Sequence, residues 1–165
     1  MMQNKPLIFS LLFLKLIQPN KSIMKTVKHL LDTKQARVIS VPENISVLDA
    51  LKIMTEKNIS AMLVMENEKL TGIFTERDYA RKIILQGKSS KDTLIKEVMT
   101  ADPITITISD SIDHCMQLMT EKHIRHLPIV VNNEVKGMMS IGDVVKFIIA
   151  DQKQTISQLE SYISG

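Results

Sequence analysis

The stretch GIFTERD, at residues 72–78, returns 65 positions later as GMMSIGD, at residues 137–143. Each copy has a glycine, two large apolar residues, a hydroxyl residue and, three positions after the hydroxyl, an aspartate. The preceding sequence keeps the same offset without a gap: SVLDALKIMTEKNIS, from residue 46, matches SIDHCMQLMTEKHIR, from residue 111. Self-similarity at a single offset indicates an internal duplication.

Each copy predicts the same order of elements, β-α-β-β-α. A short alternating strand comes first, near Ile39 and near Ile104. A helix follows, because apolar residues recur at i, i+3, i+4 and i+7. Two strands joined by a short Asn-containing turn come next, and a last helix begins at Thr75 or Ser140. The predicted apolar helix stripes are Val47, Ala50, Leu51 and Met54 in one copy and Ile112, Cys115, Met116 and Met119 in the other.

One such unit is too small to bury its own apolar faces, so we expect the two copies to pack against each other. The polar connector at residues 86–93 has the composition of a loop. Cys115, the single cysteine, lies on a predicted buried stripe and is interpreted as a packing residue. It has no partner for an internal disulfide, which favours a reducing compartment.

The charge of the chain is unevenly placed. Apolar residues make up 44% and charged residues 24%, as in an ordinary globular protein. The net charge is +3, but residues 1–37 hold seven Lys or Arg against Asp32 alone, so the remainder is net −3 (+3 minus +6). That remainder has no basic stripe interleaved with aromatic residues, so we expect no nucleic-acid partner.

The N-terminal segment contains an apolar run at residues 7–17 that Lys15 interrupts. The run is too short to span a bilayer, and no small-residue cleavage site follows it. We therefore expect no stable membrane span. A polar, helix-like stretch starts at Met24, and our hypothesis is that the natural chain begins there.

The doubled unit, each copy ending in Gly-apolar-apolar-Thr/Ser-x-x-Asp, resembles a pair of CBS domains, together a Bateman module. RHLPIV makes this resemblance specific, and TERDYARKIILQGKSS resembles compact stand-alone CBS-pair proteins in particular. The resemblance implies an α/β (α+β) fold of two β-α-β-β-α repeats packed about a pseudo-two-fold axis, with an extended C-terminal helix. The predicted divisions are an N-terminal extension (1–24), a first repeat (25–86), a linker (87–96), a second repeat (97–150) and a C-terminal helix extension (151–165).

The resemblance also implies a regulatory function. CBS pairs take adenosine-containing ligands in the cleft between repeats: AMP, ADP or ATP, and in some members S-adenosylmethionine or a dinucleotide such as NAD(H). They commonly form homodimers and report energy or cofactor status to a regulated protein, which the sequence does not identify. No cofactor or metal is expected to be required. The implied location is cytoplasmic, or an organellar matrix if the N-terminal extension is a targeting segment.

The Thr/Ser-x-x-Asp motif has two interpretations. Its hydroxyl and carboxylate can form a capping box at a helix start, as Ser46 and Asp49 are also placed to do. A helix that begins at a strand end also presents free N–H groups suited to phosphate. By resemblance to the family, Asp78 and Asp143 bind ribose and Thr75 and Ser140 bind phosphate.

Further ligand residues follow from position and from the resemblance. Arg77 could direct its donors at phosphate or lie solvated on the surface. Arg125 and His126 stand where the family presents cations to phosphate, whereas the first repeat has Ser60 and Ala61 there, so we expect unequal sites. A metal pair in HIRH is a weak alternative, because a third ligand is absent. The apolar residues expected to flank adenine are Ile39 and Ile104.

Two alternatives to ligand sensing stay open. The first is a structural or protein-interaction dimer whose working surface is the C-terminal helix, where Ile149, Ile156 and Ile163 recur every seven residues with Leu159 between them. The second is an enzyme, which we do not expect, because the sequence has no phosphate-binding glycine loop and no nucleophile–base spacing.

Overall fold

The computed structural model describes residues 24–34 and 38–165, so the hypothesis that residues 1–23 are an upstream extension concerns residues outside it. The helices are α1 (Val27–Thr33), α2 (Val47–Lys57), α3 (Glu76–Tyr79, continued by a π-helical turn at Ala80–Ile84), α4 (Ile112–Glu121) and α5 (Ile141–Ser164). The strands are β1 (Ser40–Val41), β2 (Ala61–Glu66), β3 (Lys69–Thr75), β4 (Thr100–Ala101), β5 (His126–Val131) and β6 (Glu134–Ser140). A short 3-10 turn lies at Ile95–Glu97.

The two repeats also share details of their backbone conformation. The β2–β3 and β5–β6 hairpins each turn through two residues with positive φ, Asn67–Glu68 and Asn132–Asn133, the conformation that two-residue hairpins favour. Both hairpins also shift register at the same place, after Val64 and after Ile129. Equivalent turns and bulges give the two hairpins the same twist, which lets the repeats pair about a pseudo-two-fold axis.

The two predicted helix stripes are confirmed. In α2, Val47, Ala50 and Met54 are buried, and in α4 the buried residues are Ile112, Cys115 and Met119. Burial raises the pKa of the Cys115 thiol to about 11, which agrees with its interpretation as a packing residue.

The core of each repeat includes residues from the segment that precedes the other repeat in the sequence. Ile95 and Val98, which follow the polar connector, lie in the core of the first repeat. Val27 and Leu30, from α1, lie in the core of the second repeat. The segment after the connector therefore belongs to the packed structure of the first repeat, and β4 adds a fourth strand to that repeat's sheet, in the order β1-β2-β3-β4.

The first strand predicted in the second repeat does not form as expected. Near Ile104 the chain makes only one parallel bridge, between Ile106 and Ile129. In the first repeat, the Leu63 N–H donates to the Ile39 carbonyl at 3.2 Å. Pro128 stands at the position of Leu63 and has no N–H, so the equivalent bond to Ile104 cannot form.

The repeats meet through the faces of their hairpins. Ala61, Leu63 and Ile73 are buried there, and Val135 and Met138 of the second repeat pack against them. Within the described part of the chain, no helix combines the length and the apolar character needed to cross a membrane.

Candidate ligand-binding cleft

A cleft of about 800 Å³ lies between the two repeats. Its walls come from the end of β3 and the start of α3, from the segment around β4, and from the turn between α4 and β5. Six of the nine predicted ligand residues line it: Thr75, Arg77, Asp78, Ile104, Arg125 and His126. The structure thus brings together predicted residues from both repeats in one cavity.

Asp78 lies on the first turn of α3, and its carboxylate is engaged on both oxygens. Oδ2 accepts hydrogen bonds from the Thr75 backbone N–H at 3.0 Å and the Thr75 hydroxyl at 2.7 Å. Oδ1 accepts a hydrogen bond from the Thr100 hydroxyl at 3.2 Å and pairs with the Lys82 ammonium at 2.8 Å. A carboxylate offers about four acceptor sites. A ribose hydroxyl would therefore have to replace one of these donors.

The predicted capping box forms at both motifs. The Thr75 hydroxyl also accepts from the Asp78 N–H at 3.2 Å, and Ser140 bonds with Asp143 in the same way at the start of α5. The carboxylates also favour the positive end of each helix. The same residues can cap the helix and face a ligand, so the cap does not exclude the ligand interpretation.

Arg77 connects the two repeats. Its side chain is exposed, yet its guanidinium donates a hydrogen bond to the His123 carbonyl, at the end of α4 in the second repeat. Neither a phosphate contact nor a freely solvated surface arginine describes this geometry fully. In this structure Arg77 acts as a tether across the cleft.

The cleft concentrates positive charge in a part of the chain that is otherwise acidic. Five cationic side chains line it, against three carboxylates: Arg77, Arg81, Lys82, Lys122 and Arg125 against Glu76, Asp78 and Asp102. The local excess is +2 (five minus three), whereas residues 38–165 carry −3. Such an excess suits a phosphate-bearing ligand.

His126 does not supply the cation expected at its position. Burial, followed by the charge of the neighbouring Arg125, lowers the pKa of His126 from its ordinary value of 6.5. The imidazole is therefore neutral at pH 7. Its Nε2 lies within hydrogen-bonding distance of the Ser60 hydroxyl, at 3.3 Å, and of these two neighbouring residues only Arg125 brings a positive charge to the cleft.

The two predicted adenine-flanking residues differ in position. Ile104 lines the cleft and is 38% exposed, which makes it available to a flat apolar ligand. Ile39 is half-buried, and its carbonyl is bonded to β2. Neither Ile39 nor Ser140 is among the residues that line this cleft.

The other predicted aspartate, Asp143, lines a separate cavity of about 750 Å³ between α1 and α5. Its Oδ2 accepts from Lys34 Nζ at 2.8 Å and from the Ser140 N–H and hydroxyl, both at 2.8 Å. Burial alone would raise the pKa of Asp143, but these bonds outweigh burial and hold the pKa below its ordinary value. Each motif aspartate is thus paired with a lysine, Lys82 in one repeat and Lys34 in the other.

The ion pairs that these two lysines form with the motif aspartates were not predicted from the sequence. Lys82 lies four residues after Asp78, and this helical spacing could have indicated the pair. Its Nζ also donates to the carbonyls of Val98 at 2.7 Å and Met99 at 3.2 Å, which ties the connector to α3. Lys34 and Thr100 carry no comparable signal, because they reach the aspartates through tertiary packing.

Comparison with known proteins gives a family match over most of the chain. The model of the CBS domain matches residues 21–85 and 95–150. The chain is 43% identical over 125 residues to the CBS domain-containing protein CBSX3, mitochondrial, of Arabidopsis thaliana, covering 73% of the chain and 61% of that protein. It therefore spans less than two thirds of that relative.

Solved structures agree with the fold. The CBS-domain crystal structure of NE2398 is 46% identical, with a TM-score of 0.73, over 76% of this chain and 98% of that one. The CBS domain pair of protein MJ0100, in complex with 5′-methylthioadenosine and S-adenosyl-L-methionine, is 28% identical, with a TM-score of 0.68, over 78% of this chain and 98% of that one.

Proposed function

The chain belongs to the CBS-domain family, and from this premise we propose that it is a regulatory module that binds an adenosine-containing nucleotide, of the AMP, ADP or ATP class, between its repeats. The observation that carries the proposal is the cleft in which Asp78, Arg125 and Ile104 come together under a local charge of +2. The adenosyl ligands of the MJ0100 pair support the same ligand class, including S-adenosylmethionine. NAD(H) remains a further candidate, and no cofactor is required.

The ligand is proposed to lie with its ribose at Asp78, its phosphates towards Arg125 and its adenine against Ile104. Because both oxygens of Asp78 are engaged, the ribose diol replaces Thr100 and Lys82 at Oδ1. The Lys82 ammonium then stays inside the cleft, where it can pair with phosphate. On binding, the Lys82 ammonium exchanges the Asp78 carboxylate for a ligand phosphate. This exchange limits the electrostatic cost of breaking the ion pair between Lys82 and Asp78.

Ligand binding is proposed to act on the angle between the repeats through Arg77. A phosphate within reach of its guanidinium competes with the His123 carbonyl that Arg77 now contacts. Loss of this hydrogen bond would remove one contact between α3 and the second repeat. A ligand shifts such an equilibrium only by its difference in affinity between the two arrangements, and this contact is one place where the difference arises.

The second motif is proposed to be the weaker site. Ser140 and Asp143 lie with Lys34 beside a cavity whose charges balance: Lys25, Lys34 and Lys146 against Asp32, Asp143 and Asp151. This cavity has no local excess of positive charge to attract phosphate. Unequal occupancy of the two motifs follows from this difference.

We further propose that the protein is a homodimer without enzymatic activity that signals to a regulated protein. We propose a cytoplasmic location or, as the word mitochondrial in the name of the plant relative favours, an organellar matrix.

The test is a ligand panel read by thermal shift and calorimetry. AMP, ADP, ATP, S-adenosylmethionine and NADH are compared with adenosine and with inorganic phosphate. A ligand at about a hundredfold its Kd adds ~2.7 kcal/mol to the free energy of unfolding. Arg125→Ala should lose the advantage of AMP over adenosine, whereas Lys153→Ala, outside the cleft, should keep it. Absence of heat and of a thermal shift with every adenine compound would refute the proposal.

One observation favours the alternative of a structural CBS dimer. Protein donors fill the acceptor sites of the Asp78 carboxylate, so this side chain does not depend on a ligand for its hydrogen bonds. In that case removal of residues 151–165 should abolish partner binding, and nucleotide should leave it unchanged. A nucleotide-dependent affinity for the partner would exclude this alternative.

A further inference from the structure

α5 carries an apolar stripe that stays exposed to solvent in the described part of the chain. Every residue from 152 to 165 is exposed. The stripe is formed by Val145, Ile149, Ile156, Leu159 and Ile163, which are 49%, 47%, 55%, 59% and 86% exposed, with Gln152 filling the remaining position. The helix has 24 residues, about 36 Å in length at ~1.5 Å per residue. Helices of this kind gain most of their stability from packing of an apolar face.

The spacing of the stripe is that of a two-stranded helical pair. Its six positions are separated by 4, 3, 4, 3 and 4 residues, the alternation that keeps a seam facing a partner helix. The stripe lies about a third of a turn round the helix from Val144 and Phe147, which face the protein core. A second helix can therefore lie along α5 without displacing the core contacts of either repeat.

The order of these spacings is the same from either end of the stripe, and the centre of the stripe lies at residue 154. A two-fold axis at that point places the stripe of one chain on the stripe of another, running the opposite way. Val145 then meets Ile163 of the second copy, and Ile149 meets Leu159. A surface that is complementary to itself under a two-fold rotation is the condition for a closed dimer.

Charge along one flank of the stripe selects this orientation. Lys146, Lys153 and Glu160 follow each other at seven-residue intervals on the side away from the core. In the antiparallel arrangement, Lys146 of each chain faces Glu160 of the other, which gives two attractive pairs, and only Lys153 faces its own copy. In a parallel arrangement these residues face Ile141, Ile148 and Thr155, and no opposite charges meet.

We propose that α5 pairs antiparallel with α5 of a second copy of this chain, in the register that sets Val145 against Ile163 and Lys146 against Glu160. The C-terminal half of the partner's α5 then covers the stripe residues nearest the folded repeats of this chain. By the two-fold symmetry, the C-terminal half of this chain's α5 covers the same residues of the partner. This inference refines the homodimer included in the proposed function, by naming its surface, its register and its orientation.

The first experiment measures the oligomeric state of the full chain by analytical ultracentrifugation. Ile156→Lys/Leu159→Lys should raise the dimer Kd by more than ~100-fold, because it places four ammonium groups in the seam. The matched control, Ser157→Lys/Ser161→Lys, adds the same charge to the same turns off the stripe and should stay dimeric. A monomeric wild type, or a dimer that survives the stripe variant, would overturn the proposal.

The second experiment tests orientation by charge exchange and cross-linking. Lys146→Glu and Glu160→Lys should each weaken the dimer by roughly tenfold, and the double variant should restore it. In a mixture of Gln152→Cys and Ile156→Cys chains, oxidation should link the two different chains. Self-linking of Ile156→Cys alone, or no recovery in the double charge variant, would reject the antiparallel register.

The AMP-induced thermal shift of the same variants separates this inference from nucleotide binding. If the stripe variant is monomeric and still shifts with AMP, the α5 stripe is the dimer surface and AMP binding does not require the dimer. A dimer that ignores every adenine compound refutes the ligand proposal and leaves the surface in place.

Discussion

Asp78→Ala removes the carboxylate on which both the cap of α3 and the proposed ribose contact depend. The change deletes three hydrogen bonds, two from Thr75 and one from Thr100, and the ion pair with Lys82. At ~1 kcal/mol for each bond in a mostly buried site, we expect the free energy of unfolding to fall by about 3 kcal/mol. For a chain of this size that corresponds to a melting temperature lower by about 6–12 °C.

The effect of Asp78→Ala on binding can be measured separately from its effect on stability. Two charge-assisted bonds to a ribose diol contribute ~3 kcal/mol or more, so the Kd for AMP should rise at least ~100-fold. At a ligand concentration of about a hundred times the wild-type Kd, the wild type gains ~2.7 kcal/mol, or about 5–11 °C. The variant, then at about its own Kd, gains only ~0.4 kcal/mol, or about 1–2 °C.

The assay is the ligand-induced shift of each variant, measured against that variant's own melting temperature. Asp143→Ala is the matched control, because Asp143 has the same bonds to Ser140 at the start of α5 but lies beside the other cavity. It should lose stability and keep the AMP-induced shift. If Asp78→Ala shifts with AMP as much as the wild type does, the assignment of ribose to Asp78 is wrong.

Three further predictions concern packing and titration. Gly72→Ala should cost about 1–3 kcal/mol in urea unfolding, because its Cβ would lie 2.4 Å from the Met99 Sδ; Gly142→Ala, whose nearest neighbour would be 3.7 Å away, should instead be neutral or stabilising. His126→Gln should reduce the loss of stability as the pH falls below 6.5, because the lowered pKa of His126 means that the unfolded chain binds the proton first; an unchanged pH profile would contradict this. Cys115, with a pKa of about 11, should resist a thiol reagent at pH 8 until the protein unfolds, and rapid labelling of the native protein would show otherwise.

The features that the sequence predicted correctly are local ones. Helix stripes follow from the 3.6-residue period, and the hairpin turns follow from residues that tolerate positive φ, such as Asn67 and Asn132. The duplication added strength, because each copy supported the interpretation of the other. Resemblance to a family indicated Asp78 and Arg125 as ligand residues; that they line one cleft, although they lie in different repeats, comes from the structure.

The features that were missed depend on contacts between distant parts of the chain. Nothing in the pattern of α1 indicates that Val27 and Leu30 belong to the core of the second repeat. The same holds for Lys34, which reaches Asp143 across 109 positions. The lowered pKa of His126 was not predicted, because its largest cause, burial, is a tertiary property; the charge of the neighbouring Arg125 lowers it further.

A backbone difference between the repeats adds to the inequality that we propose for the two motif sites. Leu63 holds Ile39 to β2 through its backbone N–H, so the wall of that strand is fixed. Pro128, in the same place of the second repeat, cannot hold Ile104, which stays 38% exposed at the cleft. An apolar wall without a ladder bond can adjust to a planar base at little cost, because no hydrogen bond has to break. We infer that adenine prefers the cleft beside Ile104, and that Pro128→Leu, by restoring the missing donor, would weaken nucleotide binding there while leaving the dimer unchanged.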